Sequence, residues 1–300
     1  MKFFEKSAKR KSVLALGTCV LAAVGFAATQ HTSIEHNMAT RPAGASTLSA
    51  PGPLNQLTPL TTKGAVSGLD DTLDLNSCTS STLRIGGGAQ DNQGSGSVAV
   101  DRGVTFMGQP CSARFTLDAG GKRVELANQA EQLNGAVRYY AFAIRLDPSW
   151  PLGSNSPDSV VAQFLNADDR GQFSPPLQLT IQNGDFHMWA YPTRSGKMPS
   201  SSNPNSYRLL WSQRATAGSW LQFVIGIRWS NNASTGAFNM TYQGNVVVPN
   251  TTMQTLYSNS SGSAASVYAK VGIYGSLSSS PRRMNLGWYR VGSTYQSVTS

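Results

Sequence analysis

The chain has 300 residues, with 24 lysines and arginines against 15 aspartates and glutamates, and a formal net charge of +9. This balance favours an anionic partner, but there is no Lys/Arg-rich stripe and no nucleic-acid motif, so we expect no nucleic-acid partner. The three cysteines and three histidines show no CxxC or HxxxH spacing, which argues against a zinc site, and we expect neither a metal nor a cofactor.

Residues 1–28 have the pattern of a secretory signal peptide. A basic cluster within residues 2–11 precedes an apolar run, residues 13–28, that ends in small residues. The run is short for a membrane span of about 20 residues. We therefore expect cleavage near Ala27 or Ala28, no membrane attachment afterwards, and a secreted or periplasmic protein. Removing residues 1–28 leaves 19 basic and 14 acidic residues, a net charge of +5.

Residues 29–64 are rich in Ala, Thr, Ser and Pro, which predicts a flexible linker. We expect residues 65–300 to form one β domain and the protein to be a monomer. The exported chain keeps two cysteines, Cys78 and Cys111, and an even pair in an oxidising compartment predicts a disulfide. An acidic group, Asp70, Asp71 and Asp74, is interpreted as a turn rather than a calcium site.

From Val98 onward apolar residues alternate with polar ones, which is the signature of strands with one buried face. The clearest examples are residues 139–146, 177–182 and 220–229. Asn183-Gly184 and Gln243-Gly244 predict hairpin turns between strands. Many strands with one apolar face each require two packed sheets or a closed barrel.

Three strand-like segments carry polar side chains on the face opposite the core. Residues 122–126 put Arg123 and Glu125 on one face and two apolar side chains on the other. Residues 160–165 carry Gln163 on the face that it shares with Val161 and Leu165. Residues 268–274 carry two tyrosines, a lysine and a glycine on one face: Tyr268, Lys270, Gly272 and Tyr274.

In sequence, these segments read RVEL (123–126), VAQFL (161–165) and YAKVGIYGS (268–276). They resemble the R-x-E-L, Q-x-H and Y-F-K-A-G-x-Y segments of jelly-roll alginate lyases. The order of the later strands resembles the heparin-lyase and glucuronan-lyase type, over roughly residues 95–298. The resemblance implies an all-β fold, a two-sheet antiparallel β-sandwich of the jelly-roll, concanavalin A-like class.

The resemblance also implies an activity, the cleavage of a uronic-acid polysaccharide by β-elimination, so the expected partner is an acidic polysaccharide. Tyr274 would act as acid and also as base, helped by the positive charge of Lys270, because a tyrosine has an ordinary pKa of about 10. Gln163 and Arg123 would bind the uronate carboxylate, and Glu125 would orient Arg123. Further sugar-binding residues are expected from strand parity and the resemblance: Tyr268, Tyr139, Arg145, His187, Trp189 and Tyr191.

The sequence departs from the family pattern at Leu165, where Q-x-H has a histidine that acts as base or neutralises the carboxylate. His187 is the one candidate to replace it. The serious alternative is a non-catalytic protein that binds acidic polysaccharide on the same fold.

A retaining glycosidase needs two carboxylates about 5 Å apart, and beyond residue 28 the glutamates are Glu35, Glu125 and Glu131. No Glu-x-Asp-x-Glu strand is present. A serine hydrolase is disfavoured because no Gly-x-Ser-x-Gly motif is present.

Overall fold

The computed structural model describes residues 69–73, 75, 78–79, 83–86, 88–167, 175–259 and 261–300. The predicted signal peptide, residues 1–28, and linker, residues 29–64, lie outside these residues, as do the side chains of Asp70, Asp71 and Asp74. Within the described residues no helix is long and apolar enough to span a membrane.

Fifteen strands in the described residues form two antiparallel sheets. The larger sheet has eight strands, in the spatial order β13-β12-β11-β6-β15-β4-β3, with β1 pairing with β15. Their bounds are β1 Leu69–Thr72, β3 Gly96–Asp101, β4 Ser112–Leu117, β6 Val137–Leu146, β11 Trp220–Arg228, β12 Ala237–Tyr242, β13 Asn245–Thr252 and β15 Arg282–Gly292. A short helix, α1 (Tyr295–Thr299), follows β15.

The smaller sheet has seven strands, in the spatial order β10-β9-β8-β7-β14-β5-β2. Their bounds are β2 Gln90–Gln93, β5 Arg123–Ala127, β7 Ser159–Asn166, β8 Leu177–Gln182, β9 Asp185–Ala190, β10 Arg208–Arg214 and β14 Val267–Gly275. Two sheets of this kind with almost no helix confirm the predicted all-β sandwich.

The core lies between the sheets and consists of the apolar side chains that alternate along each strand. Residues 140–146 of β6 and 221–227 of β11 contribute every second side chain, as the alternation predicts. Tyr140 of the larger sheet packs edge-on against Phe164 of the smaller one, with ring centroids 4.9 Å apart. In the strands of the smaller sheet, the residues that alternate with these core residues point away from the core. They form an outer face that carries polar side chains.

Two local predictions about the chain are also confirmed. Asn183-Gly184 and Gln243-Gly244 join β8 to β9 and β12 to β13, and all four residues have the positive φ that such two-residue turns need. Cys78 and Cys111 form a disulfide with a Cα–Cα distance of 6.0 Å. The bond ties the segment around Cys78 to the residue that precedes β4.

Candidate functional site

The three polar segments singled out in the sequence form adjacent strands of the smaller sheet. β14 lies at the centre, between β7 and β5. Its Tyr274 pairs with Arg123 and its Gly272 with Glu125 on β5, while its Lys270 pairs with Gln163 on β7. This register brings the four predicted catalytic residues, Arg123, Gln163, Lys270 and Tyr274, to one outer face.

Glu125 lies at the centre of this group and is completely buried. Gln163 donates a hydrogen bond from Nε2 to Glu125 Oε1 over 2.7 Å. The other carboxylate oxygen, Oε2, lies 3.2 Å from Arg123 Nε and 4.0 Å from Lys270 Nζ. Glu125 therefore contacts both cations through one oxygen and the Gln163 amide through the other.

A second carboxylate, Asp91 on the edge strand β2, completes the group and was missed by the sequence reasoning. Its Oδ2 lies 2.8 Å from Arg123 Nη1 and 2.5 Å from Lys270 Nζ. We call the five residues Asp91, Arg123, Glu125, Gln163 and Lys270 the Glu125 cluster. The cluster pairs two cations with two carboxylates, one buried and one facing solvent.

The two carboxylates respond oppositely to this environment. Burial raises the pKa of Glu125 to about 7, although Lys270, Arg123 and Gln163 each act to lower it. Burial also acts to raise the pKa of Asp91, but its contacts with Lys270 and Arg123 outweigh this and lower the pKa. The same surroundings thus favour the ionised form of Asp91 and the neutral form of Glu125.

Gly272 provides the space that the cluster needs. A Cβ at this position would lie 2.3 Å from the backbone oxygen of Val124 and 3.0 Å from Glu125 Cγ. Any side chain here would push β5 away from β14.

The aromatic residues of β14 each lie against one cation. The guanidinium carbon of Arg123 lies 4.2 Å from the ring centroid of Tyr274, and Lys270 Nζ lies 5.5 Å from that of Tyr268. The positive charge nearest Tyr274 among these contacts therefore comes from Arg123. Lys270, which the sequence suggests as a further source of positive charge, lies over Tyr268 and against Asp91.

A bulge in β7 sets the direction of Gln163. The pairing register with β8 shifts between Val160 and Ala162, so that Val161 and Ala162 both pack in the core. The prediction that Val161 shares a face with Gln163 is therefore wrong.

Leu165 lies on the Gln163 side of the bulge, opposite Tyr268, and is 5 % exposed. An apolar, buried side chain thus stands where the family motif has histidine.

His187 and Trp189 lie on the same outer face, on β9. Trp189 pairs with Gln178, which pairs with Gln163, while His187 pairs with Thr180. Their rings stack, with centroids 5.7 Å apart. In the pairing register His187 lies in the same row as Tyr274, three strand spacings away, about 14 Å at about 4.8 Å per strand. Leu165 lies in a different row, opposite Tyr268, and two strands away from β9.

Tyr191 follows β9 and is mostly buried. It accepts a short hydrogen bond from Gln178 Nε2, and its ring lies edge-on to that of the exposed Tyr207, with centroids 5.5 Å apart. Burial raises the pKa of Tyr191. Its hydroxyl therefore lies beside Gln178, the β8 residue that pairs with Gln163, while its ring is buried.

The structure does not bring Tyr139 and Arg145 to this face. Both lie on β6, in the larger sheet, on the side that faces away from the core. Tyr139 packs edge-on against Tyr295 of α1, and Arg145 donates from Nε to the backbone oxygen of Gly218 over 2.9 Å. The expectation that they line sugar subsites with Tyr274 is corrected, because parity defines a face within one sheet and not which sheet a strand joins.

No group of three or more His, Cys, Asp or Glu side chains in the described residues is arranged to hold a metal ion. What the cluster offers instead is charge complementarity: two cations and an amide beside a phenol. Such a set can bind a carboxylate and move a proton next to it.

The chain is similar to known polysaccharide lyases in sequence and in fold. The model of the polysaccharide lyase family matches residues 77–290. An endo-β-1,4-glucuronan lyase from the fungus Trichoderma reesei has the same fold, with a TM-score of 0.57 and 19% identity over 70% of this chain and 92% of that one. An alginate lyase from Pseudomonas aeruginosa is similar at a TM-score of 0.41 and 15% identity, over 61% of this chain and 83% of the other. A search of curated protein sequences found no match. The family model covers well over half of the sequence, and the chain therefore belongs to the polysaccharide lyase family of enzymes.

Proposed function

We propose that this protein is an exported lyase that cleaves a uronic-acid polysaccharide by β-elimination at the outer face of its smaller sheet. One observation carries the proposal: Arg123, Gln163, Lys270 and Tyr274 converge from three adjacent strands around the buried Glu125. The family match supports a polysaccharide substrate, and the chemistry of the cluster supports an acidic one.

Elimination starts with removal of the proton at C5, the carbon that bears the carboxylate. The electron pair moves toward the carboxylate, and negative charge develops on its oxygens. Arg123 and Lys270 supply positive charge for those oxygens, and the Gln163 amide has a second hydrogen to donate. Donors fixed in advance at the point where charge develops lower the barrier most effectively. Gln163 is fixed by its bond to Glu125.

Tyr274 is the proposed group for both proton transfers. As phenolate it takes the C5 proton; the C4–O bond then breaks, a C4–C5 double bond forms, and the phenol returns the proton to the leaving oxygen. The guanidinium of Arg123, 4.2 Å from the ring centroid, places a positive charge against the ring that carries the reacting oxygen. A single group serves both steps here because Leu165 has no titratable atom.

The chain of sugar units would extend from Tyr274 across the sheet toward β9. His187 lies there in the same row as Tyr274, about three strand spacings away, with the Trp189 ring stacked on it, and Tyr268 offers a ring beside Lys270. Aromatic faces suit sugars because they cover the apolar C–H surface of the ring.

Export and an acidic substrate are supported by separate features. The Cys78–Cys111 disulfide fits an oxidising compartment, in agreement with the signal-like residues 1–28. The net charge of +5 beyond residue 28 favours a polyanion.

The proposal is tested with a panel of polyuronates, namely alginate, glucuronan, heparin and pectate, with a neutral glucan as the control. Each is incubated with the protein, and unsaturated ends are followed by their ultraviolet absorbance. We expect at least one polyuronate to give unsaturated ends and the glucan to give none. Release of saturated ends, or cleavage of the glucan alone, would contradict the proposed reaction.

Leu165 favours one alternative, a protein that binds acidic polysaccharide without cutting it. The family motif has a histidine at this point, and here the position is apolar and buried. The same panel distinguishes the two functions, because the alternative predicts salt-sensitive binding of a polyuronate with no unsaturated ends.

A further inference from the structure

Asp91 is the outermost member of the Glu125 cluster. Its side chain is 29% exposed, against 14% for Arg123, 7% for Lys270 and 0% for Glu125. Asp91 Oδ2 contacts both cations at once. An anion that approaches Arg123 and Lys270 from solvent therefore meets a carboxylate already bound there.

We propose that Asp91 is an internal competitor: it occupies, in the free protein, the position between Arg123 and Lys270 that a uronate carboxylate takes in the complex. This inference rests on the proposed function, since it concerns how the same site selects its substrate. The competitor and the incoming group are chemically the same, a carboxylate that meets an ammonium and a guanidinium.

The charges of the cluster give this competition a direction. Two cations face Asp91 and Glu125, and the neighbouring side chain on β7, Gln163, is an uncharged amide. A third carboxylate has to displace Asp91, which then remains nearby because it is fixed to β2. Like charges held together oppose binding.

The consequence is selectivity by length. A tethered group competes at a high effective concentration, so a small anion that offers only one carboxylate is excluded. A polymer makes further contacts along the sheet, toward Trp189 and His187, and these offset the cost of displacing Asp91. Asp91 thus makes the binding of a uronate to Arg123 and Lys270 selective for polymers over single sugars.

The test uses two variants and one control. Asp91→Asn removes the charge and keeps the shape, whereas Asp91→Glu keeps the charge. Asp118→Asn is the control because it removes one negative charge from an exposed turn, where Asp118 accepts a hydrogen bond from Ser95. Binding of sodium glucuronate and of glucuronan is measured calorimetrically for each protein, after thermal unfolding has shown that it is folded.

We expect Asp91→Asn to bind monomeric glucuronate about tenfold or more tightly than the wild type, with a smaller gain for the polymer. Asp91→Glu and Asp118→Asn should stay close to the wild type. If Asp91→Asn does not fold, Asp91→Ser serves as the neutral variant with the same expectation. Unchanged or weaker glucuronate binding by the neutral variant would overturn the inference, because Asp91 would then only orient the two cations.

Failure of this inference is distinguishable from failure of the proposed function. If the wild type binds or cleaves a polyuronate while the neutral variant gains no affinity for glucuronate, only the competitor role is overturned. If neither protein binds any polyuronate in the panel, both the competitor role and the proposed function are overturned.

Discussion

Gln163 and Glu125 share a hydrogen bond of 2.7 Å although their strands, β7 and β5, are not neighbours. β14 lies between them, and the bond crosses it beside Gly272, which pairs with Glu125. The absence of a side chain at Gly272 is what permits this bond, because a Cβ there would lie 3.0 Å from Glu125 Cγ. The site therefore depends on a glycine as much as on its polar groups.

Gly272→Ala tests this dependence. The added Cβ would meet the Val124 oxygen at 2.3 Å, so we expect β5 to shift and the protein to lose about 1–3 kcal/mol of stability. Cleavage should fall further than stability alone explains, since Arg123 and Glu125 move with β5. Thermal unfolding and initial rates are measured together. Gly262→Ala is the control: it also replaces a glycine with positive φ, but no atom lies within 4 Å of the added Cβ. Equal losses of rate in the two variants would contradict the account.

Gln163→Ala removes the one hydrogen bond donated to Glu125 Oε1 that the described residues show. A buried acceptor left without a donor costs about 1–3 kcal/mol, and the uronate carboxylate loses its amide donor. We expect lower stability and weaker cleavage. Gln178→Ala is the matched control, because Gln178 lies directly opposite Gln163 on β8 but bonds Tyr191. A larger loss of cleavage in the control than in Gln163→Ala would be inconsistent with the proposed role.

Glu125 makes stability depend on pH in a specific direction. Its pKa is raised from 4.5 to about 7, so below pH 4.5 it is protonated in both the folded and the unfolded protein. Between about pH 4.5 and 7 the unfolded protein releases this proton while the folded protein keeps it, and stability is lost as pH rises through that window. Glu125→Gln should remove this component. Melting temperatures from pH 5 to 8 should fall more steeply for the wild type than for the variant, and parallel profiles would contradict the prediction.

The Cys78–Cys111 disulfide closes a sequence separation of 33 residues. Its removal in a Cys78→Ala, Cys111→Ala double variant should cost about 2–5 kcal/mol, with a lower denaturant midpoint. Reduction of the wild type should lower its midpoint toward that of the variant. A reductant-sensitive midpoint in the double variant would show that another effect is responsible.

The fold and part of the site could be predicted because strand parity is local information. The alternation within residues 268–274 predicts which of their side chains face the core, and Ala269, Val271 and Ile273 do so in the structure. Asp91 could not be found this way, because β2 reads Gln-Asp-Asn-Gln without apolar alternation and its partner Lys270 lies 179 residues away. The contact exists only once the edge strand has paired with β5.

Two other errors have the same origin. The bulge between Val160 and Ala162 changes the parity of β7 midway, and nothing in the local pattern marks it. Tyr139 and Arg145 have the parity of an outer face, but the face belongs to the other sheet. Sheet membership is decided by pairing between distant strands, which the alternation within one strand does not encode.

The central claim is that Tyr274 transfers the proton in β-elimination. The most direct measurement compares initial rates of unsaturated-end formation for the wild type, Tyr274→Phe and Tyr268→Phe on the polyuronate that the panel identifies. Loss of the Tyr274 hydroxyl keeps the ring against Arg123, so folding and binding should persist while the rate falls by about 10²–10⁴-fold. Tyr268→Phe, on the same face of the same strand, should lose far less. An unchanged rate in Tyr274→Phe, or polyuronate binding with no cleavage by the wild type, would contradict the account.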